Sequence, residues 1–324
     1  MTDKPCSRKT HLGEIPLIGG ICIYFTLLIL LPWTQIENFW YIASATLIVV
    51  CGVIDDYQHL SFKVRLSIEI IATIIMIYWG GIEITNMGNL FGLGDIQLGI
   101  FSPLVTIFAF VGGINAFNMS DGIDGATAGL SLVAMCSIIV MFSIYGLAKQ
   151  PSLCINFFLI FTPALIAFLL FNTRIFGRKS AFIFLGDAGS KLLGFTVCYL
   201  LIFISQGENS VISPVTVLWI IAVPLIDAVC IFIRRAHKGK SIFTPDREHF
   251  HHILPLAGYS MNQTLSIILF TPLSLGCFGI LGEKLFKLPE WLMFALFLGL
   301  FFLYYWAMSH AWKVMKVARK LHTD

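Results

Sequence analysis

FIFLGDAGSKLLGFTVCYLLIFIS (182–205) is the stretch whose reading decides the fold. Its only charges are Asp187 and Lys191, and as a helix it is long enough to cross ~30 Å of hydrocarbon. An ionisable group within such a segment is costly to bury and marks a functional site by default. Lys191 lies one helical turn beyond Asp187, so a purely structural ion pair is the simpler alternative.

The rest of the chain repeats the pattern. Of its 324 residues, 57% are hydrophobic and only 12% charged, and the mean hydropathy is +0.86, outside the range of soluble globular domains. A window of about 19 residues finds about ten candidate spans, at 16–36, 38–54, 65–84, 98–115, 126–148, 153–172, 182–205, 211–233, 263–282 and 290–309. The expected fold is an all-α integral membrane protein of about ten transmembrane helices, forming one domain over 1–324. The eight cysteines have no C-x-x-C pair and read as small buried apolar residues. The polar, basic start MTDKPCSRKTHLGEIP (1–16) does not resemble a signal peptide.

Lys and Arg near span ends report the cytoplasmic side. If the N-terminus lies inside, alternation places all but Lys149, Lys191, Lys284 and Lys287 of the 21 Lys and Arg residues inside as well. The outer connection ITNMGNLFGLGDIQLG (84–99) reads as a small hairpin. The long inner connection 234–262, rich in His, Arg and Lys, reads as a substrate loop.

The same alternation gathers five polar segments on the inner face. In IDDYQHLSFKVRL (54–66), Asp55 and Asp56 end one span while Lys63 and Arg65 open the next; paired carboxylates suit a hard cation such as Mg²⁺. NAFNMSDGIDG (115–125) packs Asn115, Asn118, Asp121 and Asp124 together without a nearby cation in sequence, and its glycines permit tight turns. FLGDAGSKLLGF (184–195) supplies Asp187. In DREHFHH (246–252), Arg247, His249, His251 and His252 lack the spacing of a helical zinc site and suit a phosphate or nucleotide. SRKTHLGEIPLIGG (7–20) brings Arg8, Lys9 and His11 before a Gly pair. Asn172 is a lone amide at a span end, read from the residues alone as a helix cap. Carboxylates and amides on one side and cations on the other match the needs of phosphoryl transfer.

Taken in order, DDYQHLSFK, NAFNMSDGIDG, FLGDAGS and HFHH make the chain resemble the polyprenyl-phosphate N-acetylhexosamine-1-phosphate transferases, over essentially its whole length. The H-x-H-H pattern is most similar to the branch that acts on undecaprenyl phosphate and UDP-GlcNAc. The resemblance implies transfer of GlcNAc-1-phosphate from UDP-GlcNAc to undecaprenyl phosphate with release of UMP, initiating surface polysaccharide synthesis such as O-antigen or enterobacterial common antigen. It implies Mg²⁺, with Mn²⁺ as a substitute, and a bacterial inner-membrane location with the active-site loops in the cytoplasm. It assigns Asp55, Asp56, Asn118 and Asp187 to the metal, with Asp55 or Asp56 as base, and Asp121 and Asp124 to catalysis by ordering the nucleotide. Lys63, Asn172, Arg247, His249, His251 and His252 would hold the nucleotide sugar. Membrane lipids are expected partners, nucleic acid is not, and a homodimer stays open. Relatives of this branch carry a further apolar span before the DKP segment, so one span fewer is expected here, and an inactive shortened paralogue is an alternative. A transporter using Asp187 and Asp227 is another. The CDP-alcohol phosphotransferases are disfavoured because DGIDGATAGLS (121–131) has no Arg.

Overall fold

A computed structural model describes residues 1–3, 13–31, 39–145, 152–174, 178, 180–207, 210–239 and 250–310, with the side chains of 142–145, 152 and 250–252 outside the description. A short antiparallel pair, β1 (Thr2–Asp3) and β2 (Ile15–Pro16), precedes a helical bundle. Its helices are α1 (Gly19–Leu30), α2 (Phe39–Gln58), α3 (Phe62–Tyr78), α4 (Ser102–Met119), α5 (Ala126–Tyr145), α6 (Ser152–Asn172), α7 (Gly186–Ser205), α8 (Pro214–Ile220), α9 (Ala222–His237), α10 (Phe250–Leu256), α11 (Met261–Lys284) and α12 (Glu290–Ser309).

The chain is an all-α, multi-pass membrane protein. Among the described residues six helices are long and apolar enough to span a bilayer, or seven if α8 and α9 form one bent span, so the expected count of about ten is not reached on that test. α1 has 12 residues, and α3 has 17 and carries Lys63, Arg65 and Glu69. The expected straight span at 211–233 is instead broken, with α8 and α9 meeting at 85°. Pro224 has no N–H to donate and crowds the carbonyl four residues back, which ends α8 at Ile220.

α7 is the hub. Beyond Asp187 and Lys191 in its first turns it is largely apolar, and 94% of its span is buried. Small residues let its neighbours approach: a Cβ on Gly20 of α1 would strike the Gly189 backbone, and one on Gly52 of α2 would strike Ala188. The chain entering α1 runs beside the chain entering α7, with Phe184 N–H donating to Pro16 O at 2.9 Å and Gly20 N–H to Leu185 O at 2.9 Å. At mid-depth Tyr41 stacks on Phe195, packs edge-on against Phe157, and shares a 2.7 Å hydrogen bond with Thr196.

Polar clamps close the opposite end of the bundle. Gln206, just past α7, accepts from the backbone N–H groups of Thr85 and Asn86 at 3.1 Å. Glu290 at the start of α12 accepts from Asn89 N–H at 2.6 Å, and Glu283 near the end of α11 accepts from Ser213 N–H at 3.0 Å. The segment between α3 and α4 is the hairpin expected at 84–99, bridged Asn86 to Gln97. The cysteines differ from expectation: Cys51, Cys154, Cys198 and Cys230 are buried, whereas Cys22 and Cys277 are exposed. On apolar helices such positions face lipid.

Candidate active site

The other end of the bundle holds the carboxylates. Asp55 and Asp56 close α2, and Gly52 lets that end lie against the start of α7. Asp56 then serves as a cap supplied from another helix: its carboxylate accepts from Asp187 N–H at 3.0 Å and from Ala188 N–H at 3.4 Å. Negative charge at a helix N-terminus satisfies free N–H groups and complements the macrodipole. Gly186 makes this fit, since its φ is +73° and any side chain there would meet the Asp56 carboxylate.

Asp55 is buried and both its oxygens are engaged. Oδ1 accepts from Leu60 N–H at 2.8 Å. Oδ2 receives Arg65 at 2.9 Å and Lys191 at 3.4 Å. Asp187 lies beside it with its side chain 33% exposed, 3.7 Å from Arg65 and 3.9 Å from Lys191. The Asp187–Lys191 pair weighed from the sequence thus exists, but Lys191 stands closer to Asp55. Beneath them Glu69, which sequence reading passed over, is buried within 3.8 Å of Lys191 and accepts from Asn115 Nδ2 at 2.7 Å.

The loop 119–125 faces this group. Gly125 adopts φ +83°, as the turn predicted, whereas Gly122 has no positive φ. Asp124 is not left without a cation: Arg174, distant in sequence, donates to it at 2.7 Å. Asn172 is spent on the fold, accepting from Gly125 N–H at 2.5 Å and donating to Ile183 O at 2.7 Å. It ties the DGIDG loop to the segment entering α7, and so positions the site. Asn118 has no hydrogen-bond partner for its amide among the described residues.

Asp121 keeps solvent on one side. Its carboxyl is pushed up to about 7, first by the protein enclosing it, then by the negative charge of Asp187, with Asp56 and Asp124 adding to it and the Thr127 hydroxyl opposing. The like charges are the part a bound cation reverses. Among the described residues no three His, Cys, Asp or Glu side chains form a complete metal shell. An oxygen-only set with unrelieved negative charge nonetheless fits Mg²⁺, which keeps waters and completes its shell from substrate phosphates.

Lys63 is exposed at the start of α3. His251 and His252 fall in α10 with side chains outside the description, and Arg247 and His249 lie outside the described residues altogether. Asp227, the other intramembrane carboxylate, accepts a 2.5 Å hydrogen bond from the Tyr304 hydroxyl.

The chain is 40% identical over 328 residues to the undecaprenyl-phosphate alpha-N-acetylglucosaminyl 1-phosphate transferase of Escherichia coli K12, covering 99% of this chain and 87% of the relative. The protein of the same description from Haemophilus influenzae is 39% identical over 325 residues, covering 99% and 90%. The profile for glycosyl transferase family 4 matches residues 38–205. The chain belongs to that family.

The family 4 match runs from the start of α2 to the end of α7. It therefore contains Asp55, Asp56, Asn118, Asp121, Asp124, Asn172 and Asp187, together with the hub helix that gathers them. The α10 segment with His251 and His252 falls beyond the match. Within the family 4 region Arg65 and Lys191 were noted in the sequence without a site role, and Glu69 and Arg174 were passed over. The latter two make their contacts across long sequence separations, and the one signal available was a lone charge at each position.

Proposed function

We propose that this family 4 protein transfers GlcNAc-1-phosphate from UDP-GlcNAc to undecaprenyl phosphate, giving undecaprenyl-pyrophosphoryl-GlcNAc and UMP with Mg²⁺ as cofactor. One observation carries the reading: Asp187, partly open to solvent, is held by Asp56 and flanked by Arg65 and Lys191 at the end of a bilayer-spanning helix. A lipid phosphate can reach that mouth from the membrane and a nucleotide from the water.

An oxygen of the lipid phosphate attacks the β-phosphorus of UDP-GlcNAc, a new P–O bond forms, and the bond to the UMP oxygen breaks as UMP leaves. Mg²⁺, when bound, neutralises charge on the diphosphate. Asp187 and Asn118 would hold it, with Asp55 and Asp56 fixing Asp187 in place from behind. Arg65 and Lys63 draw the phosphates into the mouth. Asp121, partly enclosed and pushed up to about 7, meets the condition for accepting a proton from an incoming phosphate. Asp124, already paired with Arg174, orders the nucleotide side of the loop, and Arg247 with His249, His251 and His252 binds the diphosphate sugar. The cytoplasmic face of a bacterial inner membrane is the setting this assigns, with surface polysaccharide initiation as the use of the product.

The test is UMP release from purified protein supplied with Mg²⁺, UDP-GlcNAc and undecaprenyl phosphate. Release that needs all three supports the reading; none, in protein that is folded and membrane-embedded, rejects it.

A further inference from the structure

Lys191 is the least expected charge in the bundle. It is only 2% exposed, sits in the first turns of a helix buried on all sides, and could not reach water without leaving the core. Three carboxylates surround its Nζ: Asp55 at 3.4 Å, Glu69 at 3.8 Å and Asp187 at 3.9 Å. Glu69 is itself buried and fixed by Asn115 at 2.7 Å, and Asn115 is tied to its own helix through Val111 O at 2.9 Å.

The three partners have different relations to the mouth. Asp187 is partly exposed, whereas Asp55 and Glu69 are buried, 4% and 3% exposed. Lys191 is therefore shared between a carboxylate that belongs to the scaffold and two that belong to the site. Counting formal charges, Asp55, Asp56, Asp187 and Glu69 exceed Lys191 and Arg65 by two, and Asp121 facing them adds to the negative side, an excess that a divalent ion lowers.

Resting on the reading of this site as a divalent-cation phosphotransferase centre, we infer that Lys191 is a positioning residue: a built-in cation, held off by Glu69, that fixes Asp55 against Asp187 and sets how strongly the centre attracts its metal ion. Without Glu69, the whole charge of Lys191 bears on Asp55 and Asp187 and competes with the metal. Without Lys191, the two carboxylates attract the metal more strongly but Asp55 loses one of the two cations that orient it. The pair thus trades metal affinity against order in the site.

The experiment measures Mn²⁺ binding by electron paramagnetic resonance, beside turnover, in the full chain reconstituted in nanodiscs. Glu69→Gln keeps an acceptor for Asn115 and is expected to weaken Mn²⁺ binding about tenfold or more. The double variant Glu69→Gln, Lys191→Met, which buries no unpaired charge, is expected to reverse this, binding Mn²⁺ more tightly than wild type while kcat falls about tenfold or more. Opposite shifts in the two variants are the signature of the proposed role. Unchanged Mn²⁺ affinity in Glu69→Gln, or a double variant with wild-type affinity and kcat, overturns it and leaves the pair as packing alone. Failure of wild type to bind Mn²⁺ would instead reject the metal centre itself, and the inference with it.

Discussion

The Asp56 carboxylate accepts the backbone N–H of Asp187 at 3.0 Å, so one candidate catalytic aspartate is the helix cap that aims another. The adjacent carboxylates that looked equivalent in sequence have separate tasks: Asp56 binds a helix end, and Asp55 binds cations. Asp56 and Asp187 are both partly open, and only Asp187 has its carboxylate free of a helix end.

Substitutions at the two ends of this relationship should separate. Asp187→Asn leaves its backbone N–H in place, so turnover should fall at least ~100-fold while thermal stability in detergent stays near wild type. Asp56→Ala removes the cap and should cost about 1–2 kcal/mol of stability as well as activity. UMP release and thermal unfolding, measured together, check both; equal stability of the two variants would remove Asp56 from its capping role.

Asn172 joins two segments through both ends of one amide. Asn172→Ala strands a buried N–H at Gly125 and a part-buried C=O at Ile183, at a cost of about 1–3 kcal/mol. Asn172→Asp keeps the acceptor and loses the donor, so it should fall between. A shift in the unfolding midpoint of both variants, in that order, is the expected outcome, and a large rise in KM for nucleotide with unchanged stability would return Asn172 to the substrate.

Arg174 and Asp124 are paired but partly solvated, so Arg174→Ala should change stability by less than about 1 kcal/mol. The freed Asp124 carboxylate then adds to the repulsion on Asp121 and on incoming phosphate. The expected result is a KM for UDP-GlcNAc raised several-fold with kcat little changed, read from initial rates.

If the proposed Mg²⁺ site exists, Asp121, lifted to about 7, should make metal binding pH-dependent. Protonated Asp121 attracts a cation less, and a cation displaces the proton, so affinity must fall as pH drops below about 7 and level off above it. Mn²⁺ titrations at pH 6 and pH 8 should show weaker binding at pH 6, and Asp121→Asn should flatten the difference.

Much of this was legible beforehand. Apolar length located the helices, and the bias of Lys and Arg toward alternate connections gathered 54–66, 115–125 and 184–195 at one end, because both are properties of local composition; Arg8, Lys9, His11, Arg247 and His249 lie outside the described residues. The break at Ile221 escaped, since the run 211–233 is apolar on average and hydropathy does not register the missing N–H of Pro224. Arg174 reaches Asp124 across 50 residues, and Asn172 reaches Gly125 across 47, so neither contact leaves a local pattern. Glu69 looked like one polar residue in an apolar helix until α7 brought Lys191 beside it.

The central claim is that the phosphate travels with the sugar. UDP-GlcNAc labelled with ³²P in the β-phosphate and ³H in the uridine, given to the reconstituted protein with Mg²⁺ and undecaprenyl phosphate, separates the alternatives in one extraction. The account predicts ³²P in the lipid phase and ³H in UMP in equal amounts, with both lost in Asp187→Asn. Transfer of the sugar with ³²P remaining in water-soluble UDP would contradict it.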